Sequence, residues 1–218
     1  MGQAGEAEQV ASALLRRAGL RRELLLPGQL DDLRAALRLA GAATKVRAQV
    51  LAQLCWALRR EDRHQEAEQL AGELRSLAGR LGDEELEAES VLLVAAVGAH
   101  KGEDTLAELQ RARDKAASIG SGHLQAWAYL TASHVLEGRG SHERAIQAGW
   151  DGLARTRQLD LARQIAAPIA GNLAESLTSA GRWDDALEIL DEILGKIGVA
   201  SRGEAAAAAH RLHLFDQP

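Results

Sequence analysis

The chain has 218 residues, a net charge of −5 and 46 % apolar residues, mostly Ala and Leu, which is length enough for a sizeable core and an ordinary globular composition. No dense Lys/Arg block occurs, so the composition argues against direct nucleic-acid binding. The longest apolar run, Val91 to Ala99 between Glu89 and Lys101, is too short for a membrane span.

The first residues, Met1-Gly2-Gln3-Ala4-Gly5-Glu6, lack the basic and apolar regions of a signal peptide, and a cytoplasmic protein without membrane contact is expected. Aromatics make up 3 %, and Pro stands only at Pro27, Pro168 and Pro218. Ala, Leu, Glu, Arg and Gln dominate, and these favour helix nearly throughout. Periodicity predicts helices over about 7–18 and 29–40. Four pairs follow at about 45–60 with 63–80, 84–99 with 104–118, 123–137 with 142–157, and 161–179 with 183–196. A last helix over about 203–214 has no partner. Residues 1–44 are thus expected to cap an array of four pairs over 45–197, with 198–218 holding one helix of an incomplete next pair.

The pairs repeat. Ala67, Ala107, Ala145 and Ala186 each follow a polar or Gly-containing turn, and they are 40, 38 and 41 residues apart. Leu81, Ile119, Leu159 and Ile197 close helices in a second register, spaced 38, 40 and 38. Gly82, Gly120 and Gly198 follow three of them, as a left-handed helix cap prefers. A lone helix pair cannot bury both its apolar faces, whereas stacked pairs can. The small residue lets two helices cross closely. The fold class expected is therefore all-α, a right-handed superhelical solenoid of antiparallel helix pairs with a period of about 40.

The run Asn172-Leu173-Ala174-Glu175-Ser176-Leu177, then Gly181-Arg182-Trp183-Asp184-Asp185-Ala186 to Leu190, resembles the tetratricopeptide consensus. Earlier copies depart from it: Asp62 replaces a turn Gly, Gly98 replaces a large residue, and Gly149 and Gly152 lie inside a helix. From Gln29 to Leu194 the chain resembles the helical-repeat region of the large ATP-binding, MalT-like regulators of the LuxR family of actinobacteria. Leu33-Arg34-Ala35-Ala36-Leu37 and Leu77-Ala78-Gly79-Arg80-Leu81-Gly82-Asp83 carry that resemblance besides the last repeat. It implies a sensing or docking segment of a transcriptional regulator. The ATP-binding and DNA-binding activities do not carry over, since neither a G-x-x-x-x-G-K-[ST] motif nor a basic recognition helix occurs. The alternative is a stand-alone scaffold or oligomerisation protein.

No catalytic or metal motif is present, and neither an enzyme nor a cofactor is expected. Asp184-Asp185 and Glu84-Glu85 sit at helix starts, where the helix dipole favours acids. His210-x-x-His213 shares a helix face but has no third ligand beside it. Cys55 lies in an apolar stretch and reads as a small buried hydrophobe. Trp183 is expected to pack between turn and helix. First helices of tetratricopeptide pairs face a concave groove, and their polar positions give the candidate partner-binding residues Gln49, Gln53, Arg59, Glu89, His123, Gln125, Tyr129, Asn172 and Ser176. Of these, Asn172 stands out as an amide on an otherwise apolar helix. The expected partner is a protein or peptide in the groove, with the C-terminal edge available to a second copy.

Overall fold

A computed structural model describes residues 2–24 and 26–196, which form ten α-helices with no strand among them. They are α1 (Gly2–Glu23), α2 (Gln29–Leu39), α3 (Lys45–Arg60), α4 (His64–Leu81) and α5 (Glu84–His100). Then come α6 (Leu106–Ser118), α7 (Gly122–Gly138), α8 (His142–Gln158), α9 (Ala162–Ser179) and α10 (Trp183–Lys196). The expected helix over 203–214, with His210, His213, Leu212 and Leu214, lies outside the described residues, as does Gly198.

The sequence signals account for most helix ends. The Thr44 hydroxyl accepts from the Arg47 N–H, and Asp83 Oδ1 accepts from the Leu86 N–H, so α3 and α5 begin on side-chain caps. Gly82 and Gly120 take left-handed φ of 62° and 74°. Asp160, in the same register, takes φ 55°. The turns inside the pairs behave alike: Gly102, Gly140 and Gly181 are left-handed, and Asp62 adopts φ 56° where they have glycine. The repeat therefore keeps its backbone where the consensus residue is lost.

Two expectations in the first six helices are corrected. α1 runs from Gly2 to Glu23 rather than over about 7–18; past residue 18, Arg21 joins Arg17 on the buried Asp32 carboxylate of α2, at 3.0 and 2.6 Å, which holds the added turn. Ala107 is exposed, unlike Ala67, Ala145 and Ala186. The reason is that α6 starts only at Leu106, which turns Leu109, Ala112 and Ala116 inward instead. The loop before α6 crosses the end of α5. A Cβ on Gly98 would stand 2.5 Å from Glu103 Oε2 and 3.2 Å from Thr105 Cγ2, so the missing large residue there makes room for that loop.

The chain divides into two compact units after Leu124. In the first, Leu33, Val50, Leu54 and Leu58 join Ala11 and Leu15 of α1, while Leu51, Leu74, Leu77 and Leu93 hold α3, α4 and α5 together. Full burial of each such side chain is worth roughly 1.5–3 kcal/mol. In the second, Ile146, Leu153, Ile165, Ile169, Leu173 and Ile189 form the core of α8, α9 and α10. Gly149 and Gly152 of α8 sit in this core: an added Cβ would lie 3.0 Å from Leu173 Cβ and 3.0 Å from Tyr129 Cβ. They allow a close helix approach. Trp183, expected to pack, is instead 62 % exposed.

Candidate functional site

The candidate residues fall into two sets, one in each unit. Gln49, Gln53, Arg59, Glu89 and His123 belong to the first unit; Gln125, Tyr129, Asn172 and Ser176 belong to the second.

In the first unit the set gathers around Trp56. Gln49, Gln53, Trp56 and Arg59 follow at helical spacings along α3, and all four are partly buried. The Trp56 Nε1–H donates to Glu89 Oε1 of α5 at 3.1 Å. The Arg59 guanidinium carbon lies 5.2 Å from the Trp56 ring centroid, a cation–π distance. Burial depresses the Arg59 pKa, since its charge gains little from its surroundings. Burial also raises the Glu89 carboxyl above the usual carboxylate range; the Trp56 N–H opposes this and Glu85 adds to it. Two polar atoms on this face, Gln53 Oε1 and Arg59 Nε, are sealed from solvent with no hydrogen-bond partner. His123 is exposed and lies within electrostatic reach of Arg22 and Glu85. Cys55, on the core side of α3, is buried, and burial pushes its thiol up to about 12, which makes it inert.

In the second unit most of the candidate polar groups hold helices together, whereas Ser176 Oγ is sealed without a well-aligned hydrogen bond. Asn172 Nδ2 donates to the Leu130 carbonyl at 3.2 Å and to Ser133 Oγ at 3.4 Å, tying α9 to α7. The Gln125 side-chain oxygen accepts from Arg155 Nε at 2.9 Å. Tyr129 is partly buried, with its Cβ against Gly152. Ser176 is wholly buried beside Glu137. Burial works against the Glu137 charge, but Ser179, His142 and Ser176 around it outweigh burial and hold its carboxyl below the usual range. His142 Nδ1 sits 3.0 Å from both Glu137 oxygens.

Sequence reasoning passes over two features. Trp56 is legible as the ring three residues from both Gln53 and Arg59. The second is a stack of His64 on His100, with centroids 3.3 Å apart and planes at 24°. Both His64 ring nitrogens are sealed from solvent and lack a well-aligned hydrogen bond; Nε2 lies 3.4 Å from Asp62 Oδ1. No sequence signal marks that pair, because its members are 36 residues apart and meet only through repeat packing. Among the described residues no three His, Cys, Asp or Glu side chains converge as a metal site. No helix among them is long and apolar enough to cross a membrane.

No family model matches the chain, and no curated protein matches it. Among solved structures, a Rap protein complexed with Competence and Sporulation Factor is similar, with TM-score 0.71 and 14 % identity over 84 % of this chain. The chain spans about half, 52 %, of that protein's length. A Podosopora anserina chain of nearly identical TPR-like repeats, named for kinesin light chain, matches with TM-score 0.56 and 13 % identity over 89 % of this chain and 96 % of its own. At such identities these similarities define the fold. The protein is an all-α, tetratricopeptide-like helical-repeat protein.

Proposed function

We propose that the chain is a binding module and that its first unit takes a peptide, or an extended segment of a partner protein, along the α3–α5 face around Trp56. The observation that carries this reading is the partly buried Trp56 ring on the α3 face, with the Arg59 guanidinium beside it and Glu89 of α5 bonded to its Nε1–H. The Rap protein, similar in fold, was solved with Competence and Sporulation Factor bound, and groove recognition by aromatic and polar anchors is a general mode. Selection of a displayed random-peptide library on the full chain tests the reading. Selected peptides are expected to lose at least about tenfold in affinity on Trp56→Ala, about 1.4 kcal/mol, and to be indifferent to Trp183→Ala. Peptides insensitive to Trp56, or no enrichment, count against it.

The wider reading is that this module is the cytoplasmic sensor or docking segment of a LuxR-family regulator, with the helices of 1–44 capping the array and a further helix after 198. Sequencing the DNA around the coding segment decides that. A nucleotide-binding module and a helix-turn-helix in the same frame support it, whereas stop signals on both sides remove it.

A scaffold or self-pairing role is favoured by a different observation. Ile146 of α8 and Leu187 of α10 occupy the same repeat position, one past the anchoring alanine, yet Ile146 is 3 % exposed and Leu187 44 %. α9 packs on α8, whereas the described residues supply no following helix for α10. Leu187→Glu is expected to dissolve a dimer built on that edge in light scattering; a mass that stays monomeric in both proteins ends this reading.

A further inference from the structure

The two outermost helices of the described residues each leave an apolar face bare. On α1, Val10, Ala13, Leu20 and Leu24 are exposed and follow at spacings of three, seven and four, so they line one stripe of the helix. Leu24 stands just past Glu23, but its N–H bonds the Leu20 carbonyl at 2.9 Å and carries the helical turn on. The opposite face, with Ala11, Leu15 and Ala18, packs into the core. On α10, Trp183 and Leu187 are exposed one turn apart, whereas Ala186 and Ile189 face inward. No helix among the described residues precedes α1 or follows α10. Inside a repeat array the neighbouring repeat covers such a face, so an outermost one needs a cap or a partner.

The charges around the two stripes are of opposite sign. From Arg16 to Glu23, α1 has four arginines and one acid, and Arg17 and Arg21 share the single carboxylate of Asp32. Arg16 is exposed beside the stripe. α10 has five acids and one lysine. Arg182 takes Asp185 and Arg157 takes Glu192, while Asp184, Glu188 and Asp191 stand exposed along the side that carries Trp183 and Leu187. A face packed on its own copy across a two-fold axis meets itself. α10 on α10 would set acid against acid, and α1 on α1 would set arginine against arginine. Like charges across an interface cost affinity, whereas opposite charges select and steer the partner. The unlike pairing alone lays apolar stripe on apolar stripe with arginine opposite carboxylate.

We propose that α10 of one copy of this chain docks on α1 of another copy, with Trp183 and Leu187 against Leu20 and Leu24 and with Arg16 opposite the acids of α10. This rests on the self-pairing reading above and names the surface that α10 meets. The contact is heterologous: each pairing leaves one α1 and one α10 unused, so association need not stop at two chains.

Size-exclusion chromatography with light scattering, on the full chain and two variants, tests this. The parent mass is expected to rise above 23.3 kDa with concentration. Leu20→Glu/Leu24→Glu, which spoils α1, and Leu187→Glu, which spoils α10, are each expected to stay monomeric. All three positions are exposed, so the fold tolerates the changes. Mixed in equal amounts, the two variants are expected to form a heterodimer, since the mixture holds one intact α1 and one intact α10. That recovery also shows both variants to be folded. A variant that still associates with itself, or a mixture that stays monomeric while the parent associates, overturns the head-to-tail contact. Where Leu187→Glu dissolves the association and the α1 variant does not, the symmetric α10 contact takes its place and the self-pairing reading survives. A parent that stays monomeric throughout, as it would if residues 199–218 covered α10 within one chain, overturns both.

Discussion

In the second unit, Asn172 bonds Leu130 and Ser133, Gln125 takes a hydrogen bond from Arg155, and Glu137 is surrounded by Ser179, His142 and Ser176. In the first, Gln53, Arg59, His64 and Thr105 bury polar atoms that no well-aligned hydrogen bond satisfies, against Ser176 alone among the described residues of the second. The helices of both units follow one repeat, so the difference lies in side chains laid on a common frame. A buried polar group with an internal partner fixes how two helices dock. One without such a partner weakens the fold. On the proposed reading, binding is therefore expected around α3 and α5 rather than in the second unit.

The largest expected effect contrasts the glycines of the two long second helices. In α8, Gly152→Ala and Gly149→Ala drive a Cβ to 3.0 Å from Tyr129 Cβ and Leu173 Cβ, which are fixed to backbone and cannot swing aside. Overpacking typically costs about 1–3 kcal/mol, and the helix propensity of Ala returns only about 1 kcal/mol. Each change is expected to lower stability in urea titrations. In α4, Gly72 and Gly79 have nothing within 4 Å of the added atom, so their replacement by Ala gains up to about 1 kcal/mol each. Four effects of one sign would dissolve the contrast.

Asn172→Ala against Arg59→Met is the next contrast. The first removes the amide that ties α9 to the Leu130 carbonyl and Ser133 Oγ of α7 and is expected to cost about 1–2 kcal/mol. The second removes a charge that the fold does not pair and is expected to cost nothing measurable, the lost cation–π contact being worth only about 0.5–1 kcal/mol. Equal destabilisation would mean that the fold depends on Arg59 as much as on Asn172.

How much of this is legible in the sequence follows from range. Left-handed turns, caps and the anchoring alanines Ala67, Ala145 and Ala186 are written within a few residues of where they act. So are the polar positions along α3. Ala107 and Trp183 escape a local reading because their fate depends on a loop crossing α5 and on what covers α10. Asn172 reads from the sequence as an amide in need of a partner, whereas its bonds to Leu130 and Ser133 span about forty residues and leave no local trace. The His64–His100 stack is hidden for the same reason.

Acid separates the units by pH window. His64 and His142 hold the same repeat position, three residues before the anchoring alanine. Burial lowers the His64 pKa from its ordinary 6.5, His100 and Arg59 add to this, and Asp62 opposes it. A histidine whose folded pKa lies below its unfolded value stabilises the fold above about 6.5, and that stability is lost as pH falls through the folded value. Glu137 is a depressed carboxyl, so its contribution is present above its ordinary 4.5 and is lost only at lower pH. Urea stability measured from pH 8 to 4 is expected to fall first below about 6.5, and His64→Phe is expected to flatten that limb. Glu137→Gln is expected to lower stability across that range and to change its slope with pH only below about 4.5. A His64→Phe curve that overlays the parent's would show that the stack carries no proton linkage.

The smallest effect serves as the control that gives the others their meaning. Asp62 in the first unit and Asp160 in the second both occupy left-handed backbone, with φ 56° and 55°. Neither conformation depends on the polar partners that distinguish the units. Asp62→Gly and Asp160→Gly relieve the same steric cost, reduced for Asp by its short polar side chain, and are expected to gain about 0.5 kcal/mol each. The Asp62 change also removes the carboxylate 3.4 Å from His64 Nε2, so its gain is expected to shrink below about pH 6.5 while that of Asp160→Gly stays constant. Equal gains at pH 8 that diverge only in acid would place the difference between the units in their side chains. Unequal gains at pH 8 would place part of it in the backbone and weaken every comparison of polar groups made between them.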